Sequence, residues 1–278
     1  MGSIAVVTGA ASGIGRALMS ALIGRGDTVI AVDISDNHLR DPPRGASAGR
    51  AIGVVCDVRD AEALGGVVSD AARRYGALDL IFNNAGVGVG GPLEDLTTAH
   101  WDRIIDVNLR GVINGVQAAY PIMQAQGHGH IVNTASMAGL IPFPLGVPYA
   151  TTKWGVVGLS LSLRAEAAQF GVHVSVVCPG FVDTPLIDRD VPADLPPTRL
   201  AGHTRSAERR FSIGPMLKPE QLAQQVLRGL ARNRAVIIAP RRVRVAWWAQ
   251  RLSSGFTQAV ATSGSRRTRA TIEGGWPS

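Results

Sequence analysis

Ile4-Ala5-Val6-Val7-Thr8-Gly9-Ala10-Ala11-Ser12-Gly13-Ile14-Gly15 is the stretch from which the rest of the chain can be read. The short apolar run up to Thr8 fits a strand buried on both faces. A segment of helical period, Gly13 to Arg25, follows at once. Between them, glycines let the backbone turn tightly and approach a pyrophosphate, whose charge would rest on amide groups and the positive helix end. Alone the pattern is a weak signal, and an ordinary glycine-rich turn would look similar. Its place between a strand and a helix, at the head of an alternating chain, gives it weight. It predicts dinucleotide contacts at Gly9, Ser12, Gly13, Ile14 and Gly15.

The alternation continues to about residue 240. Apolar runs at 28–32, 51–56, 78–82, 130–134, 172–177 and 235–238 are separated by helical patterns at 61–75, 98–120, 149–170 and 219–232. Such a chain predicts an α/β fold, a doubly wound parallel sheet with right-handed crossovers. One domain over 1–240 is expected, with a basic amphipathic extension over 241–278. The span 181–217 holds prolines and charges but little period, as a lid over a binding site or a disordered loop would. No internal repeat is visible.

A chain of 278 residues, 46% hydrophobic, can bury a full core. Cys56 and Cys178 each end an apolar run, as buried thiols do, and no second Cys or His stands at metal-ligand spacing. The first residues lack both a basic leader and a long apolar stretch, so a cytoplasmic, soluble protein is expected, with peripheral membrane contact left open. The net charge of +7 is unevenly spread. Residues 1–198 carry 13 basic and 18 acidic side chains, residues 199–278 carry 15 and 3. The basicity therefore belongs to the tail, where it suggests an anionic partner.

The second strand ends at Asp33, where a carboxylate can accept hydrogen bonds from adenosine ribose hydroxyls and would repel a 2′-phosphate. Ile34 follows it, and Ser12 fills the turn position where a basic residue would help bind that phosphate. NAD is thus expected in preference to NADP. The alternative is that Asp33 merely begins a loop.

Tyr149-Ala150-Thr151-Thr152-Lys153 places a phenol and an ammonium one helical turn apart. A phenol ordinarily loses its proton near pH 10, and an adjacent cation favours the phenolate, so Tyr149 could act as a general base or acid. The spacing is common by chance. Ser136, just past the run ending at Thr134, and Asn83-Asn84-Ala85-Gly86, just past another, would reach the same carboxyl edge of the sheet, where doubly wound folds bind ligands.

Together these motifs resemble the short-chain dehydrogenase/reductase family from about Ile4 to Ile238. The resemblance rests on Thr8-Gly9-x-x-x-Gly13-Ile14-Gly15, Asp57, Asn83-Asn84-Ala85-Gly86, Asn108, Ser136, Tyr149-x-x-x-Lys153 and Pro179-Gly180 with Thr184. It implies hydride exchange between a nicotinamide and an alcohol or carbonyl compound. It implies that Ser136 orients the substrate oxygen, Tyr149 transfers the proton, Lys153 holds the nicotinamide ribose and lowers the tyrosine pKa, and Asn108 supports a water-linked relay. It also implies adenine contacts at Asp57 and Val58, cofactor contacts at Asn84, Ala85 and Gly86, and contacts near the carboxamide from Pro179, Gly180, Val182 and Thr184. Read without the family, Asn108 would bond the backbone and Asp57 would cap a helix. A dimer or tetramer is implied as well.

The apolar run 140–148 and Pro185-Leu186-Ile187 suggest a lipophilic substrate, or else ordinary core packing. Val245, Trp248, Ala249, Leu252 and Phe256 share a helical stripe beside several arginines. Residues 241–256 are therefore read as a contact to an anionic bilayer, a cover for the pocket or a subunit contact. The last stretch, 263–278, is expected to be mobile. Nucleic acid is not an expected partner, for no nucleic-acid fold accompanies the arginines. Two rivals share the motifs: an epimerase or dehydratase of the same family, and a nicotinamide-sensing protein that docks through its tail.

Overall fold

Strand β1 (Ile4–Thr8) sits near the middle of a seven-stranded, all-parallel sheet and pairs with β2 (Thr28–Asp33) on one side and β4 (Leu80–Asn83) on the other. The sheet is completed by β3 (Arg50–Val55), β5 (Gly129–Thr134), β6 (Val172–Pro179) and β7 (Val236–Ala239), in the order β3-β2-β1-β4-β5-β6-β7. This computed structural model describes residues 2–37, 39, 49–188, 191–192, 194–203 and 214–274. The strand order reverses between β1 and β4, which opens a crevice beyond their carboxyl ends.

Helices cover both faces, which is why Ala5, Val6 and Val7 are wholly buried. On one face lie α1 (Gly13–Gly24) and, late in the chain, Pro219–Leu230, which meet through Leu18, Leu22, Leu222 and Val226. On the other face lie α2 (Ala61–Tyr75) and two later helices, packed through Leu64, Val68, Val112, Val116 and Val156. The doubly wound reading of the sequence is thereby met.

The helical pattern at 98–120 resolves into α3 (Thr98–Ile105), a π-helical turn (Asp106–Arg110) and α4 (Gly111–Gln126). The turn is marked by the Gly111 N–H bonding to the Asp106 carbonyl. Such an inserted residue changes which side chains face inward and often marks a functional site. Here it buries Asn108 completely. Next comes α5 (Val147–Ala167), entered through Pro148 in its first turn.

Within 181–217 the short α6 (Pro185–Asp188) is followed by a segment tied to the body. A Val182–Leu217 bridge closes the base of the excursion. Thr198 donates to the Gly90 carbonyl at 2.6 Å, and Arg199 pairs with Asp95 at 2.7 Å and Glu94 at 2.8 Å. Residues 189, 190, 193 and 204–213 of the expected lid lie outside the described residues. The Pro219–Leu230 helix is α7.

The tail forms α8 (Arg244–Leu252) and α9 (Ser254–Gly274), separated by Ser253 in extended conformation. Two expectations are corrected here. Ser253 breaks the single helix on which Val245, Trp248, Ala249, Leu252 and Phe256 were expected to share a stripe. Residues 263–274, expected to be mobile, continue α9, because Arg269 grips Glu94 at 2.9 Å, Thr268 is buried and Ile272 packs on Leu145 and Leu200. Residues 275–278 of that stretch lie outside the described residues.

Candidate active site

The turn after β1 has the shape its glycines predict. Gly9 and Gly13 take φ of +68° and +52°, the left-handed region. Gly15 has no room for a side chain: a Cβ there would stand 2.6 Å from the Gly9 carbonyl carbon, 2.7 Å from the Asn84 amide nitrogen and closer still to the Gly9 oxygen. Ser12 at the N-cap makes no side-chain cap bond, and no acidic residue lies in the first turn. The helix thus presents its positive end to the crevice, as a pyrophosphate requires.

Thr8 holds the turn to β4. Its hydroxyl donates to the Phe82 carbonyl at 3.3 Å and accepts the N–H groups of Asn84 at 2.9 Å and Ala85 at 3.0 Å, so its hydrogen-bonding capacity is filled. The Asn84 amide donates to the Thr8 carbonyl at 3.0 Å and its oxygen accepts from the Thr134 hydroxyl at 3.3 Å. Three strand ends are laced together, which fixes the rim of the crevice. Thr8 was not among the predicted site residues, and its signal, a hydroxyl ending the first strand, was visible.

The Asp33 carboxylate accepts the Ala11 N–H at 2.9 Å and the Ser35 N–H at 3.1 Å. A carboxylate has about four acceptor positions, so both oxygens keep capacity for ribose hydroxyls. At the neighbouring strand end, Arg59 chelates Asp57 at 2.6 to 3.1 Å and holds its carboxyl below the ordinary value. The helix cap in this loop is Asp60, which accepts the Ala63 N–H. Asp57 is therefore not the cap.

Beyond the other strand ends, Ser136 follows β5 and accepts the Ala138 N–H at 3.1 Å through its hydroxyl. Tyr149 lies in the first turn of α5, and the Lys153 ammonium is 5.5 Å from its ring centroid. Lys153 is 3% exposed and donates to the Thr134 carbonyl at 2.9 Å. Burial pushes its pKa down to about 8. Behind it, the Cys178 thiol is pushed up to about 12 by burial, so it stays protonated. Both cysteines are buried and in no disulfide.

One cavity of about 1300 Å³ joins these groups. Its wall includes Gly9, Ser12, Gly13, Ile14, Asp33, Asp57, Val58, Asn84, Ala85, Gly86, Ser136, Tyr149, Lys153, Pro179, Gly180, Val182 and Thr184. That volume exceeds an ordinary small-molecule pocket and has room for a dinucleotide beside a substrate. The residues fit the cofactor: a glycine cradle, an exposed helix N-terminus and a carboxylate lie in sequence along one wall. Gly15 and Asn108 stand behind that wall. The Asn108 amide is spent on Val87, donating to its carbonyl at 2.9 Å and accepting its N–H at 2.8 Å. Sequence reasoning missed Arg59, Arg103 and the residues of α9 beyond Phe256 that also line the cavity.

A sequence profile described as short chain dehydrogenase matches residues 3–194. The chain is 35% identical over 228 residues to the 3-oxoacyl-[acyl-carrier-protein] reductase of Thermotoga maritima, covering 81% of this chain and 89% of that one. It is 34% identical to the D-beta-hydroxybutyrate dehydrogenase of Rhizobium meliloti, over 69% of this chain and 76% of that one. Among solved structures, a short chain dehydrogenase/reductase from Burkholderia phymatum in complex with NAD superposes with a TM-score of 0.79 at 32% identity, covering 90% and 93% of the two chains. With the glycine cradle and the Ser136, Tyr149 and Lys153 cluster already in place on one crevice, these matches establish that the chain belongs to the short-chain dehydrogenase family of oxidoreductases.

Proposed function

We propose that this protein interconverts an alcohol and a ketone or aldehyde with NAD(H), on a substrate that is largely apolar. The observation that carries the reading is the buried Lys153 ammonium fixed beside the Tyr149 ring at the same cavity wall as Ser136. A bound nicotinamide would supply or accept the hydride. The chain's own residues would handle the oxygen and its proton. Ser136 donates to the substrate oxygen and orients it. Tyr149 takes the hydroxyl proton in oxidation and returns it in reduction. Lys153, cationic below about pH 8, favours the phenolate and would hold the nicotinamide ribose. Asn108, whose amide fixes the Val87 backbone, supports a water-linked proton relay.

Asp33 supports NAD over NADP, since its carboxylate faces the cavity and Ile34 beside it offers a 2′-phosphate no cation. The apolar wall formed by residues 141–145, Leu186 and the tail helices supports a lipophilic substrate. Val147, Trp154 and Leu161, exposed at seven-residue spacing on α5, support a homo-oligomeric contact. The bilayer contact proposed for 241–256 falls on Trp248 and Leu252, which are exposed and outside the cavity wall.

The test is a screen of lipophilic alcohols and ketones against NAD(H) and NADP(H), followed by nicotinamide absorbance. Turnover with NAD(H) and apolar secondary alcohols is expected. A preference for NADP(H), or for small polyols, contradicts the reading.

A further inference from the structure

We propose that Arg267 on α9 binds an anionic group, carboxylate or phosphate, at the far end of the substrate. The inference rests on the alcohol and carbonyl chemistry proposed above and narrows its substrate class. Its basis is the charge map of the cavity. Among the described residues, six charged side chains line it: Asp33, Asp57, Arg59, Arg103, Lys153 and Arg267. The first five each have a partner among the described residues. Asp33 caps backbone N–H groups, Asp57 and Arg59 pair with each other, Arg103 pairs with Asp194, and Lys153 bonds the Thr134 carbonyl. Arg267 lines the cavity from α9, as do Phe256 and Val260. Its guanidinium makes no ion pair or hydrogen bond among the described residues.

The helix that carries it is anchored on both sides of this position. Phe256, Val260, Gly264 and Arg267 recur on the cavity side of α9 at helical spacing. Thr268, the next residue, is 1% exposed. Arg269 grips both oxygens of Glu94 at 2.9 and 3.0 Å, and Ile272 packs on Leu145 and Leu200. Phe256 lies about 16 Å from Arg267 along the axis, at 1.5 Å per residue, so α9 spans the substrate half as a wall. An apolar lining with one exposed guanidinium, unpaired among the described residues, suits a substrate with a hydrocarbon body and an anionic end. A planar guanidinium can hold such a group through two hydrogen bonds.

The experiment compares oxo acids of graded chain length with their methyl esters and with phosphate monoesters of the same length, in steady-state kinetics of wild type, Arg267→Gln and Arg267→Lys. In wild type one of the two anions is expected to show a KM about tenfold below that of the ester, the better one naming the group. Arg267→Gln should raise that KM about tenfold with kcat little changed, as loss of uniform binding does, while the ester's constants stay put. Arg267→Lys should recover part of the loss. Equal KM values for acid, phosphate and ester in wild type overturn the inference and leave the proposed reaction standing. So does an Arg267→Gln variant that weakens ester and anion alike, which marks a structural role. Absence of turnover with every compound, in protein that still binds NADH by fluorescence, overturns the proposed reaction and this inference with it.

Discussion

Adding one methyl group at Gly15 would test the cradle on which the cofactor site depends. In Gly15→Ala the new Cβ would fall 2.6 Å from the Gly9 carbonyl carbon and 2.7 Å from the Asn84 amide nitrogen. Ordinary contacts between such atoms are about 3.5 Å, so something must yield by roughly 1 Å. Neither side is free to do so. Helix α1 is pinned by Leu18, Met19, Leu22 and Ile23, all essentially without exposure, and Asn84 is held at both ends by Thr8 and Thr134. Forcing an extra carbon into a site of this kind costs about 1 to 3 kcal/mol. The displaced turn also moves the amide groups meant for the pyrophosphate, so dinucleotide affinity should fall at least tenfold. A matched control is Gly66→Ala in α2, where nothing lies within 4 Å of the added carbon. There the better helix former should add about 0.5 to 1 kcal/mol. Urea denaturation with absorbance-free fluorescence titration of NADH would read both variants. If Gly15→Ala binds NADH like wild type and is equally stable, the close approach is not what the sequence requires glycine for.

Asp33→Ala should raise the KM for NAD about tenfold and narrow the preference over NADP by a similar factor, measured as the ratio of kcat/KM values; an unchanged ratio would remove Asp33 from cofactor selection. His130 should govern part of the acid response. Burial, then His173 and Arg164, push its pKa down to about 4, and its ring bonds Ser175 at 2.8 Å. Ser175 donates to the Arg234 carbonyl, so the His130 Nε2–H is the donor to it. The unfolded chain binds a proton near pH 6.5 that the folded one refuses until about 4, so stability is full above 6.5 and falls by about 3 kcal/mol as pH drops to 4. Thermal melts across that window should show a shallower decline in His130→Gln; identical slopes would contradict the assignment.

The sheet and its crevice were legible because their signals are local. Each apolar run became a strand within a residue or two, and Gly9, Gly13 and Gly15 mark positions where backbone conformation or contact forbids a side chain. Tyr149 and Lys153 were legible because a helical turn fixes their separation. What escaped depended on partners distant in sequence. The π-turn at Asp106–Arg110 is set by the Asn108 amide finding Val87, which no periodicity announces. The order of α9 was hidden for the same reason: Ser, Thr and Arg dominate its last turns, and their anchor, Glu94, lies 175 residues away. Composition suggested a loose tail, whereas one ion pair, a buried threonine and Ile272 hold it against the body.

One transferable proton carries the proposed reaction, and Tyr149→Phe removes it while keeping the ring that packs near Phe143 and Lys153. Single-turnover reduction of an apolar ketone by bound NADH, followed at the nicotinamide absorbance, should slow by at least a hundredfold in this variant while NADH affinity stays within about twofold of wild type. A variant that reduces the ketone at the wild-type rate would contradict the account, since the proton would then be coming from elsewhere.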